Sequence, residues 1–108
     1  MPIYNKLVRD KIPQIIEQSG KQFTTSILSE EDYISELKKK SFEELEEYVN
    51  TTNNEDSLEE LADLLEIIHA LAVCHGSSIY EVERIRKEKA EKRGGFQERI
   101  FLIEVKDD

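Results

Sequence analysis

Four acidic residues occur at regular spacing on two successive segments that have helical periodicity. Glu44 and Glu47 lie three positions apart in the first segment, and Glu60 and Asp63 repeat that spacing in the second. Side chains three positions apart point to the same side of an α-helix. If the two helices are antiparallel, as a short connection favours, their four carboxylates converge on a small volume. Because such a cluster repels itself unless a cation binds, we predict a metal site here.

An ordinary solvated helix face is the alternative explanation, since 36% of the residues are charged. The position of Glu44 argues against it. At about 100° per residue, Glu44 falls inside the apolar stripe of its helix, between Tyr33 and Leu37, with Glu47 at the border and Glu43 turned toward solvent. A carboxylate on a packing face is costly unless it is paired, protonated or bound to metal.

The second acidic segment is apolar on one face and acidic on the opposite arc. That arc continues with Ile67, Ala70 and Cys74, so we predict that both sides of this helix are covered and that the acids lie at the mouth of a packed bundle. Glu60 has a second explanation as the last residue of a capping box that begins at Ser57. The apolar face comprises Leu58, Leu61, Leu64, Leu65, Ile68, Leu71 and Ala72.

Start and stop signals predict four helices with short connections. The predicted helices cover residues 10–19, 29–50, 57–75 and 78–94, with Asp10, Ser29, Ser57 and Ser78 at their N-termini. Residues 23–28 and 100–105 are rich in β-branched and aromatic side chains and could pair as a small ribbon. The prediction is therefore an all-α helical bundle of about four helices in one domain, residues 1–108, with at most a minor two-stranded β ribbon.

The distribution of charge narrows the classes of partner. The net charge is −9, and between residues 30 and 66 acidic residues far outnumber the three lysines. An acidic middle suits metal ions and argues against duplex nucleic acid as a partner. Basic residues gather toward the two ends instead. Basic residues near a helix C-terminus are also explained by their favourable interaction with the helix dipole. Six of the basic residues are candidates to bind an anionic ligand: Lys6, Arg9, Lys11, Lys89, Lys92 and Arg93.

Cysteine usage and hydropathy bear on the cellular compartment. The single cysteine, Cys74, lies in an apolar run and cannot form an internal disulfide. No run approaches the roughly 20 apolar residues that span a bilayer, and no signal-like apolar region opens the chain. We therefore expect a soluble cytoplasmic protein with no membrane partner.

The acid pattern resembles the signature of a known superfamily. Glu43-Glu44-x-x-Glu47, then twelve intervening residues and Glu60-x-x-Asp63, is similar to the motif of the MazG-like all-α nucleoside triphosphate pyrophosphohydrolases. This superfamily includes phosphoribosyl-ATP pyrophosphohydrolase and dimeric dUTPase. The opening YNKLVRDKIPQII and the closing EVERIRKEKAEKRGGFQERIFL also resemble its small stand-alone members, so the likeness extends over most of the chain.

The resemblance implies an activity and a set of site residues. Water would attack the α-phosphorus of a nucleoside triphosphate and release a monophosphate and pyrophosphate. Glu44, Glu47, Glu60 and Asp63 would hold Mg²⁺, with Mn²⁺ as an alternative ion, because hard cations prefer carboxylate oxygens. One of these acids, or Glu43, would orient or deprotonate the water. Helices that are apolar on two sides further suggest a homodimer or larger homo-oligomer, with a four-helix bundle formed across subunits.

Two alternatives stay open from the sequence. Within the same reaction class, the substrate is either a non-standard nucleotide, in a house-cleaning role, or phosphoribosyl-ATP in histidine biosynthesis. In a different class, the chain is a non-catalytic helical module for oligomerisation or regulation, and its four acids have no role in turnover.

Overall fold

Four helices make up the regular secondary structure of residues 2–107, which are the residues that the computed structural model describes. They are α1 (Ile12–Gln18), α2 (Glu30–Val49), α3 (Asn54–Cys74) and α4 (Ile79–Arg93). The two longest, α2 and α3, pack against each other, and α4 packs on α3. In the described part of the chain, α1 contacts no other helix. The all-α prediction with about four helices is confirmed.

Local capping explains where α2 and α3 begin. The Ser29 hydroxyl accepts a hydrogen bond from the Asp32 amide at 3.2 Å, as predicted for α2. For α3 the prediction that Ser57 is the cap was wrong, because Asn53 fills that position and its side chain accepts from the Asp56 amide at 2.8 Å. The helix therefore begins four residues earlier than predicted. Glu60 then lies in the second turn, outside the capping box, and its carboxylate is free for another role.

The ends of the two shorter helices agree only in part with the sequence signals. Helix α1 begins after Lys11 rather than after Asp10, and no side chain caps it. Ser78 precedes α4 as predicted, but its hydroxyl makes no capping bond, and the Glu81 carboxylate pairs with Arg84 instead. Gly94 ends α4 with a φ of 84°, a backbone conformation that favours glycine.

The predicted β ribbon does not form in the described residues. Residues 23–28 and 100–105 are exposed and adopt no strand conformation. An isolated two-stranded ribbon is marginal in water, and neither segment has a third strand or an apolar layer to cover it. The β propensity of these residues is therefore not sufficient to form strands here.

Little apolar surface is buried within a single chain. Leu37, Ile67 and Ala72 are the only apolar residues that are buried in the described range. The radius of gyration is 18.8 Å, whereas a compact domain of this length has a value of about 13 Å. Extended residues near both ends account for part of this difference, but α2 and α3 themselves form only a pair of helices with one packed seam.

The seam between α2 and α3 uses the acidic arc of α3. Glu44 of α2 is buried together with Leu37, and Ile67 of α3 is buried on the arc that also carries Glu60 and Asp63. The apolar face that the sequence indicates on α3 is only partly covered. Its leucines Leu58, Leu61 and Leu65 are exposed, and so is Ile68. The acids are thus in the contact between two helices, and the strongest apolar face is left largely open.

Candidate carboxylate site

Three of the four predicted carboxylates converge at one end of the α2–α3 seam. Glu44 and Glu47 come from α2 and Glu60 comes from α3. One carboxylate oxygen of each lies within 4.8 Å of the corresponding oxygen of the other two. Exposed acids often group in this way without binding a metal, so spacing alone does not identify a site.

Burial distinguishes this group from an ordinary acidic surface. Glu44 is only 9% exposed, and its Oε2 atom is buried without a hydrogen-bond partner in the described structure. The Oε2 atom of Glu60 is in the same situation. Leaving a buried carboxylate oxygen unpartnered is costly, because the oxygen has lost water and gained no donor. A cation or a proton at this point would remove that cost.

The pKa values of two of these acids are raised. Burial is the main cause for Glu44, whose pKa lies above its usual value. The pKa of Glu60 is raised to about 7, first by the hydrogen bond that its protonated form can make to Glu44, then by burial and by Glu47. Two ionised carboxylates have no hydrogen atom between them, so this bond requires a proton on one of them. A proton shared by the two carboxyl groups would relieve their repulsion, as a cation between them would.

A pH dependence of stability follows from Glu60. In the unfolded chain its pKa returns to the ordinary value of 4.5, so at intermediate pH the folded state binds more protons. Proton binding by Glu60 therefore stabilises the folded state fully at pH values below the unfolded pKa. This contribution is lost as the pH rises through about 7. We expect the melting temperature in EDTA to fall over this range, as measured by circular dichroism. Glu60→Gln should flatten this pH dependence and the neighbouring Glu59→Gln should keep it, whereas equal slopes in both variants would contradict the assignment.

Asp63, the fourth predicted acid, forms an ion pair with a residue distant in sequence. The Nη2 atom of Arg9 donates to its Oδ1 atom at 2.7 Å. Both side chains are partly exposed, so this contact contributes little to stability. Asp63 is close enough to the cluster for its charge to help raise the pKa of Glu44. The pair therefore places one basic side chain of the chain's opening segment beside the carboxylates.

Two further predicted site residues line a groove beside the carboxylates. Lys6 and Glu43 line it, together with two residues that the sequence analysis did not select, Lys39 and Lys40. The ammonium of Lys40 is 4.0 Å from Oε1 of Glu44. The sequence does contain a signal for this contact, because Lys40 precedes Glu44 by four positions on the same helix.

The remaining basic candidates are located elsewhere. Lys89, Lys92 and Arg93 line a second groove on α4, which has none of the four acids in its walls. Lys11 is exposed at the N-terminal end of α1. Within the described residues, none of these four basic side chains pairs with an acid of the carboxylate site. Of the six basic candidates, the structure brings Arg9 and Lys6 to the neighbourhood of the acids.

No protein-family model, characterised protein or solved structure matches this chain. The resemblance to MazG-like enzymes therefore stays a prediction. No helix among the described residues is both long enough and apolar enough to cross a membrane.

The residues present fit a hard divalent cation. The donor set is entirely carboxylate, as Mg²⁺ and Mn²⁺ prefer, and one of its members is nine-tenths buried with an unpartnered oxygen. An anionic ligand would find Arg9 and the lysines of the adjacent groove within the same region. The arrangement can therefore bring together a cation, a phosphate group and a carboxylate able to accept a proton.

Proposed function

We propose that the chain is a Mg²⁺-dependent nucleotide pyrophosphohydrolase that cleaves a nucleoside triphosphate to a monophosphate and pyrophosphate. The observation that supports this best is the buried Glu44 carboxylate, whose Oε2 atom has no hydrogen-bond partner, in a cluster with Glu47 and Glu60. The sequence resemblance to MazG-like enzymes, which includes these same positions, is the second support. A cytoplasmic location and a house-cleaning role belong to the same proposal.

Each residue of the site has a separate role in the proposed reaction. Glu44, Glu47 and Glu60 would hold Mg²⁺, and Asp63 would join them after exchanging Arg9 for the ion. When bound, the ion supplies charge neutralisation and a water of lowered pKa. The Arg9 guanidinium, released from Asp63, can donate to phosphate oxygens that carry the negative charge. Glu43, or an acid of the cluster, would orient the attacking water or accept its proton.

The direct test of the reaction is pyrophosphate release from a panel of substrates. The panel contains canonical and modified nucleoside triphosphates and phosphoribosyl-ATP, each with Mg²⁺ and with excess EDTA. We expect metal-dependent release from at least one of them. Preference for phosphoribosyl-ATP would favour histidine biosynthesis over house-cleaning. A folded protein that releases no pyrophosphate from the whole panel would contradict the proposal and favour a non-catalytic helical module.

Asp63→Asn tests whether the fourth acid takes part in turnover. The substitution keeps the shape of the side chain but removes the charge that a cation and Arg9 both require. We expect pyrophosphate release to be lost while the helical circular dichroism is unchanged, because the Arg9 pair is exposed and adds little stability. Glu59→Gln, one turn earlier on α3 and exposed, is the matched control and should keep full activity. An equally active Asp63→Asn variant would remove Asp63 from the metal site.

A homodimer or larger homo-oligomer is part of the same proposal. Exposed apolar side chains of α2 and α3 lie on one side of the helix pair on a helical wheel. They are Phe42, Leu45, Val49, Leu58, Leu61, Leu65 and Ile68. Glu47 and Asp63 fall on the opposite side of the pair. A second pair of helices packed on the apolar side would form a four-helix bundle and leave the carboxylates accessible.

A further inference from the structure

A groove of about 170 Å³ lies beside the carboxylate site, on the α2 side of the helix pair. One wall is the opening segment around Asn5 and Lys6, and the other is α2 at Lys39, Lys40 and Glu43. Volume equal to several water molecules is available there, and the groove is open to solvent. It can therefore admit a small ligand group without a change in the fold.

Three lysines and two glutamates, Glu36 and Glu43, line this groove, and the lysines are the groups that can bind an anion. Lys6, Lys39 and Lys40 line it from two separate parts of the chain, which the fold brings together. The Lys39 ammonium is 3.3 Å from a carboxylate oxygen of Glu36. Lys40 is the more buried of these two lysines, with 28% of its side chain exposed, and it approaches Glu44 at 4.0 Å. One residue, Lys40, thus belongs both to the groove and to the carboxylate site.

A cation at the carboxylate site would change the partner of Lys40. The Glu44 carboxylate has one negative charge, which either the Lys40 ammonium or a divalent ion can neutralise. An ion beside Glu44 would satisfy that charge and repel the ammonium. Because Lys40 lines the groove, its ammonium can turn there without leaving the site. An anion in the groove would then meet it together with Lys6 and Lys39.

We infer that this groove binds the diphosphate group of the ligand, and that Lys40 moves from Glu44 to that group when a divalent cation binds. The inference rests on the proposed function and adds to it a subsite for the diphosphate, separate from the phosphate contact proposed for Arg9. Because the cation frees Lys40, the cation and the diphosphate bind with positive coupling. A diphosphate from either source, the distal phosphates of a nucleoside triphosphate or free pyrophosphate, fits the same lysines.

The test measures binding of radiolabelled inorganic pyrophosphate by equilibrium dialysis, with saturating Mg²⁺ and with EDTA. The variant is Lys40→Met, since methionine keeps an unbranched side chain as far as Cε and the helix propensity of lysine, without the charged ammonium. With Mg²⁺ we expect affinity to fall about tenfold, the effect of losing one charge-assisted hydrogen bond. In EDTA the variant and the wild type should bind equally, because Lys40 then stays with Glu44. Lys38→Met is the matched control, exposed on the same helix and outside the groove, and should bind as the wild type does in both conditions.

Three results of the binding measurements would each overturn the inference. Equal affinity of wild type and Lys40→Met at saturating Mg²⁺ would exclude Lys40 from the subsite. An equal loss with Mg²⁺ and with EDTA would show a fixed electrostatic contribution and contradict the exchange. Adenosine monophosphate is the second probe, and its binding should be unaffected by Lys40→Met; a parallel loss would show that the groove does not select the diphosphate.

The melting temperature separates this inference from the proposed function. If Mg²⁺ raises the melting temperature of the wild type but Lys40→Met binds pyrophosphate normally, only the phosphate subsite is wrong. If Mg²⁺ leaves the melting temperature unchanged at every concentration, the carboxylate site does not bind the ion and both are wrong.

Discussion

Glu44→Gln is expected to abolish the effect of Mg²⁺ on the melting temperature and to reduce turnover by more than about 100-fold. In the wild type, an ion at 100 times its dissociation constant stabilises the folded state by about 2.7 kcal/mol, which for this chain length corresponds to roughly 10 °C. Glu44 is the least exposed member of the cluster, and glutamine removes its negative charge and replaces one carboxylate oxygen with an NH2 group, which does not coordinate a cation.

The same variant has an opposite effect when metal is absent. Glutamine removes a buried acid whose pKa is raised by burial, so in EDTA near neutral pH its melting temperature should equal or exceed that of the wild type. A buried carboxylate that binds a cation lowers the stability of the metal-free chain and raises the affinity for the metal. A variant that is more stable than the wild type in EDTA and less stable in Mg²⁺ is therefore characteristic of such a site. Differential scanning fluorimetry with and without Mg²⁺ measures both effects.

Glu46→Gln is the matched control for Glu44→Gln. It lies on the same helix two residues later, is exposed, and takes no part in the carboxylate cluster. We expect it to keep both the Mg²⁺-dependent rise and the activity. If Glu44→Gln retained the full rise, the ion would bind elsewhere and the central support for the proposed function would be lost.

Leu61→Glu is expected to convert a homo-oligomer into a monomer that melts at a much lower temperature. Leu61 is 42% exposed in the single chain and lies in the middle of the apolar side of the α2–α3 pair. Because 42% of Leu61 is still exposed, an interface would supply only part of the roughly 1.5–3 kcal/mol that full burial of a leucine contributes, and an unpaired carboxylate in its place adds a further cost. Sedimentation velocity measures the assembly, against 12.6 kDa for one chain, and circular dichroism measures the melting temperature.

Val73→Glu makes the same change in charge at another exposed apolar residue of α3. Val73 is 67% exposed and lies about 120° around the helix from Leu61. We expect it to keep the wild-type mass and most of the stability. A wild-type chain that sediments as a stable monomer, or a Leu61→Glu variant that keeps the wild-type mass, would contradict an interface on this face.

The positions of α2 and α3 could be predicted because their signals are local. Ser29 and the Asn50–Asn54 break mark the two ends of α2, and His75 with Gly76 marks the end of α3, all through backbone groups within one turn. The start of α3 was missed because two capping sequences follow each other, Asn53 to Asp56 and Ser57 to Glu60. Either can cap a helix, and the structure uses the earlier one, which adds another turn of hydrogen bonds.

The three members of the carboxylate cluster were also among the residues that could be predicted from the sequence. The i,i+3 spacing and the short connection bring Glu44, Glu47 and Glu60 together in any antiparallel pairing that turns these faces inward. What the spacing left open was the environment of each acid. The burial of Glu44, the pairing of Asp63 with Arg9 and the approach of Lys40 all depend on which sides of the helices meet and on the path of the opening segment.

The sequence by itself therefore determined that the chain is all-α and where its long helices end. These depend on interactions within one helix or across one short connection. Only the tertiary structure decided which face of α3 packs against α2, because two faces of that helix contain enough apolar residues to be buried. It packs on the acidic arc, through Ile67, and leaves Leu61 and Leu65 exposed. Which face packs against α2 depends on the relative stability of two sets of contacts between residues that are distant in sequence. Helical periodicity alone does not indicate which set is the more stable.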